Sequence, residues 1–292
     1  MKRNFVICSM AVLSFSLIFL GYATETARET PSSDGVPIRF TVAGGGKPAL
    51  VFVHCWCCDR GYWKNQIPNF AEDHKVVAVD LAGHGESGAD RSDWTLEMFA
   101  ADVAAVVETL GLEDVILIGH SMGGPVILET ARLIPDRVIG LIGIDTFQDF
   151  EREYTDVQKT QFLTGLRMDF EGTTKGFVRM MFPAGTDTSM VNAIASDMSA
   201  GPRDVGIGAM KSLLNFKPLE VLKQIHVPIR CINSDMLPTN VEADKRYAES
   251  FDVKYMEGRG HFLMLEDPDT FNELLAETIS EMTGSPDEDD VK

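Results

Sequence analysis

The chain is short of positive charge and of cysteine, and its one prominent N-terminal apolar run is too short to span a bilayer. Its 292 residues hold 26 Lys and Arg against 44 Asp and Glu, a net charge of −18. A chain this acidic repels phosphate backbones and anionic headgroups, so no nucleic-acid partner is expected. Five cysteines, at positions 8, 55, 57, 58 and 231, are too few for a disulfide-stapled scaffold. Three of them fall within four residues, and neighbours that close are poorly placed to bridge. Free, buried thiols are therefore expected. No His or Cys spacing resembles a zinc site, so neither metal nor cofactor is implied. No internal repeat is visible. What the sequence does hold is 45% apolar residues. That is ordinary for a soluble globular chain and excludes a disordered or collagen-like one.

The N-terminus opens Met1-Lys2-Arg3, continues as an apolar run from Phe5 to Leu20 and ends in Gly21-Tyr22-Ala23. A basic start, a run below the roughly 20 residues of a membrane helix, and small residues before the cut describe a secretory signal peptide over residues 1–23. The expected destination is export, periplasmic or secreted, with membrane attachment only if this segment stays uncut. Cys8 sits inside the apolar run without the small residues that precede a lipidated cysteine. Residues 24–35 (TETARETPSSDG) read as a solvated linker, and residues 284–292 as an acidic tail.

Unbroken Val/Ile/Leu runs recur at 48–54, 75–80, 114–119, 138–145 and 227–233. Such runs, without period-two alternation, mark strands covered on both faces. Helical spacing over 95–110, 121–133, 240–250 and 268–282 alternates with them. The expected class is α/β: a mostly parallel sheet with helices on both faces, its core at 36–146 and 218–283. Residues 147–217 break the rhythm. They contain no clear strand and carry seven of the 17 Phe and six of the 14 Met. This stretch reads as an inserted helical cap, its apolar side chains forming a small core and a wall over a substrate pocket.

Gly119-His120-Ser121-Met122-Gly123 fits G-x-S-x-G between a buried strand and a helix. There the pattern describes a nucleophile elbow, a strained turn that lifts the Ser121 hydroxyl clear of the backbone. The following helix points its N-terminus at the same place. A serine nucleophile needs a base. His261, in Gly260-His261-Phe262, follows the last strand candidate (Val253 to Met256) and so lies at the carboxyl edge of the sheet. His120 adjoins the nucleophile and should point away, and His54 ends a strand where it can order the next loop. The base needs a carboxylate. Asp235 follows a strand and precedes His261, giving the order Ser, Asp, His. Asp145, at the end of the preceding strand, is the rival; Asp235 is the first choice.

Val53-His54 after a strand, Asp80-Leu81-Ala82-Gly83-His84-Gly85-Glu86-Ser87, the elbow, the Asp235 loop and Gly260-His261-Phe262 together resemble the α/β-hydrolase superfamily, in its capped, esterase-like branch. The resemblance covers residues 36–283 and implies a Ser121, Asp235, His261 triad. It places the oxyanion hole at the backbone N–H groups of Trp56 and Met122. Dehalogenases and epoxide hydrolases of this fold would carry Asp at the elbow, and Ser121 argues against both. One departure is His54-Cys55 where the family has His-Gly. If Cys55 adopts positive φ it carries strain that glycine avoids. The function so implied is hydrolysis of an ester-like bond, and the apolar cap suggests a small, apolar acyl or aryl substrate. The alternative is a small-molecule receptor or carrier on the same fold.

Overall fold

The apolar runs become strands because the sheet they build is covered on both faces. In the computed structural model, which describes residues 25–248 and 250–284, eight strands form one sheet. They are β1 (Thr26–Pro31), β2 (Pro37–Ala43), β3 (Ala49–Val53), β4 (Lys75–Val79), β5 (Val115–His120), β6 (Val138–Ile144), β7 (Ile229–Ser234) and β8 (Phe251–Met256). Their order is β1-β2-β4-β3-β5-β6-β7-β8. β3 through β8 are parallel to one another, while β2 is antiparallel to both β1 and β4. Every residue of β3 and of β5 is buried.

The helices are α1 (Gln66–Phe70), α2 (Leu96–Thr109), α3 (Gly123–Leu133), α4 (Asp156–Met168), α5 (Phe170–Arg179), α6 (Thr188–Ser199), α7 (Arg203–Asn215), α8 (Pro218–Leu222), α9 (Val241–Asp244), α10 (Leu263–Glu266) and α11 (Pro268–Thr283). α2 starts where the Thr95 side chain accepts from the Met98 N–H, satisfying a donor that the first turn leaves unpaired. Between β6 and β7 the described chain has helices α4 to α8 and no strand. Among the described residues no helix is long and apolar enough to cross a membrane.

Two expectations need correction. Residues 24–35 are not a linker, because Thr26–Pro31 pairs with β2 from Thr26 opposite Val42 to Pro31 opposite Pro37. A sheet edge that keeps one face in water tolerates polar residues, so composition alone hid the strand. The segment after it is pinned by buried polar groups: Ser32 Oγ donates to Asp102 at 2.5 Å, and Arg91 bridges Asp102 and Asp34. The helix expected over 240–250 is a single turn, α9, capped by Asn240 and followed by tight i to i+3 bonds from Arg246 and Tyr247. The proposed signal segment, and the tail beyond Gly284, lie outside the described residues.

Candidate active site

Ser121 stands on the turn between β5 and α3 with φ +53°, in the left-handed region. A non-glycine residue there costs on the order of 1–3 kcal/mol, so neighbouring contacts must hold it. They do: Ser121 N–H donates to the Ile144 carbonyl at 3.0 Å, and Gly124 N–H to the Ser121 carbonyl at 2.9 Å. The glycines on either side permit the close crossing. A Cβ on Gly119 would lie 2.3 Å from the Gly123 carbonyl oxygen, and one on Gly123 would lie 2.6 Å from that of Val53.

His261 is held by its backbone and its ring. Its N–H donates to the Met181 carbonyl at 2.8 Å, and the Glu266 carboxylate accepts from Gly260 N–H and Phe262 N–H on either side. The ring partner corrects the first choice made from sequence. Asp145 Oδ2 lies 2.5 Å from His261 Nδ1. Asp235 does not reach the ring; its Oδ1 accepts from Gly258 N–H at 2.9 Å on an exposed loop. The physical reason is the strand geometry. Asp145 comes straight off the end of β6, beside β5, with φ +43°, whereas Asp235 leaves β7, one strand further out. Asp145 Oδ1 also accepts from Ser234 N–H at 2.8 Å. Burial pushes the Asp145 carboxyl up, but the His261 and Ser234 contacts outweigh it and hold the group below its ordinary range.

Sequence reasoning missed the clip that keeps this acid in place. Asn233 accepts from Thr146 N–H at 3.2 Å and donates back to the Thr146 carbonyl at 3.1 Å, bracketing the turn after Asp145. An amide at a strand end is its only signal. His120 is also closer to the site than expected. Its ring sits 4.6 Å from that of His261, centroid to centroid, and its Nε2 donates to the His261 carbonyl at 2.8 Å. Burial lowers its pKa to about 3, so the ring is neutral. His261 Nε2 is buried and has no hydrogen-bond partner among the described residues.

The loop after β3 supplies the remaining polar groups. His54 Nδ1 donates to the Cys55 carbonyl at 2.8 Å and Nε2 accepts from Leu81 N–H at 3.1 Å. Burial lowers its pKa to about 4, so this single tautomer orders the loop. His84 is buried, with Nδ1 donating to the Ala82 carbonyl. The Trp56 indole donates to the Gly206 carbonyl at 2.7 Å and meets Phe170 and Phe177 edge-on. Among the described residues no acceptor is bonded to the backbone N–H of Trp56 or of Met122. Cys55 carries no positive φ; the strained residue is Cys57, at +55°.

Residues 50–274 match the alpha/beta hydrolase family. The chain belongs to that family. The Karrikin insensitive 2 receptor CA of Petunia hybrida is 23% identical over 257 residues, covering 82% of this chain and 94% of the relative. An esterase from Exiguobacterium antarcticum superposes with a TM-score of 0.78 at 20% identity, over 87% of this chain and all of that one. A bromoperoxidase from Bacillus anthracis gives a TM-score of 0.77 at 19% identity, over the same shares. At these identities the two structures speak for the fold alone.

In this alpha/beta hydrolase, Ser121, Asp145, His261, Trp56 and Met122 all line one cavity of about 540 Å³. The inserted helices supply its apolar wall: Phe162, Phe177, Met198, Met210, Leu213 and Leu214. Arg152, Tyr154 and Gln158 add polar groups. The volume falls within the range of small-molecule sites. Asp235 is absent from the lining, while Met236 and Leu237 beside it are present. Among the described residues no group of three His, Cys, Asp or Glu is placed to hold a metal ion.

Proposed function

We propose that the protein is a serine hydrolase acting on ester-like bonds of small, apolar acyl or aryl substrates. The observation that carries this reading is the partly buried Asp145–His261 hydrogen bond, which shares one apolar-walled cavity with Ser121. Asp145 accepts from Nδ1 and so leaves Nε2 as the basic nitrogen. Nε2 takes the Ser121 hydroxyl proton as Oγ adds to the substrate carbonyl. Oxygen charge developing there meets the N–H groups of Trp56 and Met122, at the start of α3. Nε2–H then protonates the departing alcohol, leaving an acyl group on Ser121. Water enters, gives its proton to Nε2 and releases the acid, returning Ser121 and His261 to their starting states. Thioesters, lactones and some carbon–carbon bonds suit the same residues; the apolar lining favours uncharged acyl groups. Export, from the N-terminal segment, belongs to the same proposal.

A panel of acyl esters of graded length, run on wild type and Ser121→Ala, tests this. Hydrolysis by the wild type that falls at least about a thousandfold in Ser121→Ala supports it; full activity in the variant refutes it. A second reading has one observation in its favour: the petunia relative, aligned over nearly its whole length, is named a receptor. There the cavity would hold a ligand with little turnover. A fluorophosphonate probe separates the two, because labelling of Ser121 requires an activated hydroxyl.

A further inference from the structure

Cys55 and Cys58 bracket Trp56 in a four-residue turn. Cys58 N–H donates to the Cys55 carbonyl at 3.2 Å, and Cys57, third in the turn, holds φ +55°. Such a turn brings its end Cα atoms within about 7 Å, which overlaps the span of a disulfide. The two sulfurs already lie 2.8 Å apart. Cys57 Sγ is turned elsewhere, packing toward Gly206 on α7, where an added Cβ would come within 3.0 Å of it. All three thiols are free. Cys55 lines the cavity and Cys58 does not; both are buried, so the cavity is the side from which a small oxidant can approach the pair, at Cys55.

We propose that Cys55 and Cys58 form a reversible dithiol–disulfide pair that controls the Trp56 N–H. The oxidant is a low-molecular-weight disulfide. Cys55 attacks one of its sulfurs, forming a mixed disulfide and releasing one thiol, which takes the Cys55 proton. Cys58 then attacks Cys55 Sγ, forming the internal bond and releasing the second thiol with the Cys58 proton. The protein loses two electrons and two protons, and the oxidant becomes two thiols. Such oxidants occur in the compartment that the proposed export would place the chain in.

Closing the bond draws the sulfurs from 2.8 Å to about 2.05 Å and fixes the dihedral between them. The indole of Trp56 is pinned by Gly206, Phe170 and Phe177, so its backbone takes up the movement. An oxyanion donor moved by a few tenths of an ångström loses part of its effect, and complete loss costs roughly 10²–10³ in kcat. The rate consequence rests on the hydrolase reading; the dithiol chemistry does not.

The experiment treats the purified full chain with bis(2-hydroxyethyl) disulfide, alkylates remaining thiols after denaturation, and maps peptides by mass. The expected product has lost two hydrogens, with the bridge at Cys55–Cys58. Its kcat for a short acyl ester falls about tenfold with KM within about twofold, and dithiothreitol restores it. Cys58→Ser stops at a mixed disulfide between Cys55 and 2-mercaptoethanol, while Cys57→Ser still forms the bridge. No bridge, a bridge to Cys57, or a bridge with unchanged or raised kcat overturns the proposal. A reduced wild type with no esterase activity sinks the hydrolase reading and the rate effect with it, while the mass map still decides the dithiol.

Discussion

Replacing Asp145 by Asn separates the geometric assignment of the acid from the one that sequence order favours. The Asp145 carboxylate accepts from His261 Nδ1 at 2.5 Å and from Ser234 N–H at 2.8 Å. Although burial opposes it, those contacts hold its pKa below the usual carboxylate range, so it is ionised at neutral pH. An amide in its place can still accept from Ser234, but it can also offer an N–H to Nδ1. The ring proton then shifts to Nε2, the nitrogen that in the proposed mechanism accepts from Ser121. The expected fall in kcat is about 10³–10⁴, or about 4–5.5 kcal/mol of transition-state stabilisation, with KM little changed. Asp235→Asn keeps the oxygen that accepts from Gly258 N–H on an exposed loop, so kcat should stay within about threefold. Initial rates on a chromogenic butyrate ester, with near-ultraviolet circular dichroism to confirm folding, provide the comparison. If Asp235→Asn loses as much as Asp145→Asn, or Asp145→Asn keeps more than about a tenth of wild-type kcat, the argument from hydrogen bonding fails.

Other consequences can be measured separately. Among the described residues Asp244 Oδ2 is buried without a partner, and burial lifts the carboxyl to about 6. A raised acid destabilises the fold above that pH, so Asp244→Asn should gain on the order of 1–2 kcal/mol at pH 7.5, shrinking toward zero by pH 4; urea melts in which the gain ignores pH would refute this. His54, His84 and His120, with pKa values lowered by burial to about 4, 3 and 3, should show neutral rings by NMR at pH 5. The stability tied to their neutrality is fully present above about pH 6.5 and is lost as pH falls toward 4; a ring titrating above pH 5.5 would contradict its placement. A Cβ on Gly260 would lie 2.6 Å from the Met181 carbonyl oxygen, so Gly260→Ala should displace His261, lowering kcat at least about tenfold and stability by about 1–3 kcal/mol. Unchanged kcat would mean that the loop yields freely. N-terminal sequencing of the exported protein should begin at Thr24; retention of Met1 would refute cleavage.

The strands that could be read directly are those whose environment is uniform. β3 and β5 are buried along their whole length, and a continuous apolar run is the only sequence that fits such a position. β1 could not be read this way. Its burial pattern is exposed but for Thr30, and its stability comes from pairing with β2 and from the buried Asp102–Arg91 pair nearby. Those partners are about seventy residues away in the case of Ser32 and Asp102, so no local pattern records them. The short α9 illustrates the opposite error. Helical spacing continued past Asp244, but the backbone tightened after one turn, a choice that spacing cannot express.

The candidate site divides along the same line. Ser121 and His261, which line the same cavity, stand out in the sequence because each sits in a motif whose glycines are needed for close backbone approach. Asp145 does not, because both candidate acids follow a strand and precede His261, and only the lateral strand order distinguishes them. Strand order is a long-range property. The same holds for strain. Among the described residues five non-glycine residues adopt positive φ, and four of them, Cys57, Ser121, Asp145 and Phe147, lie on the three loops around one cavity. Each costs on the order of 1–3 kcal/mol and persists only where surrounding contacts over-determine it. Ser121 N–H is held by Ile144, Asp145 N–H by Ile232, and the turn beyond by Asn233. Each of these clamps runs from one parallel strand to the next. The sheet is therefore what makes the strained geometry stable, and that geometry sets Ser121 and Asp145 on the wall of the cavity that His261 also lines.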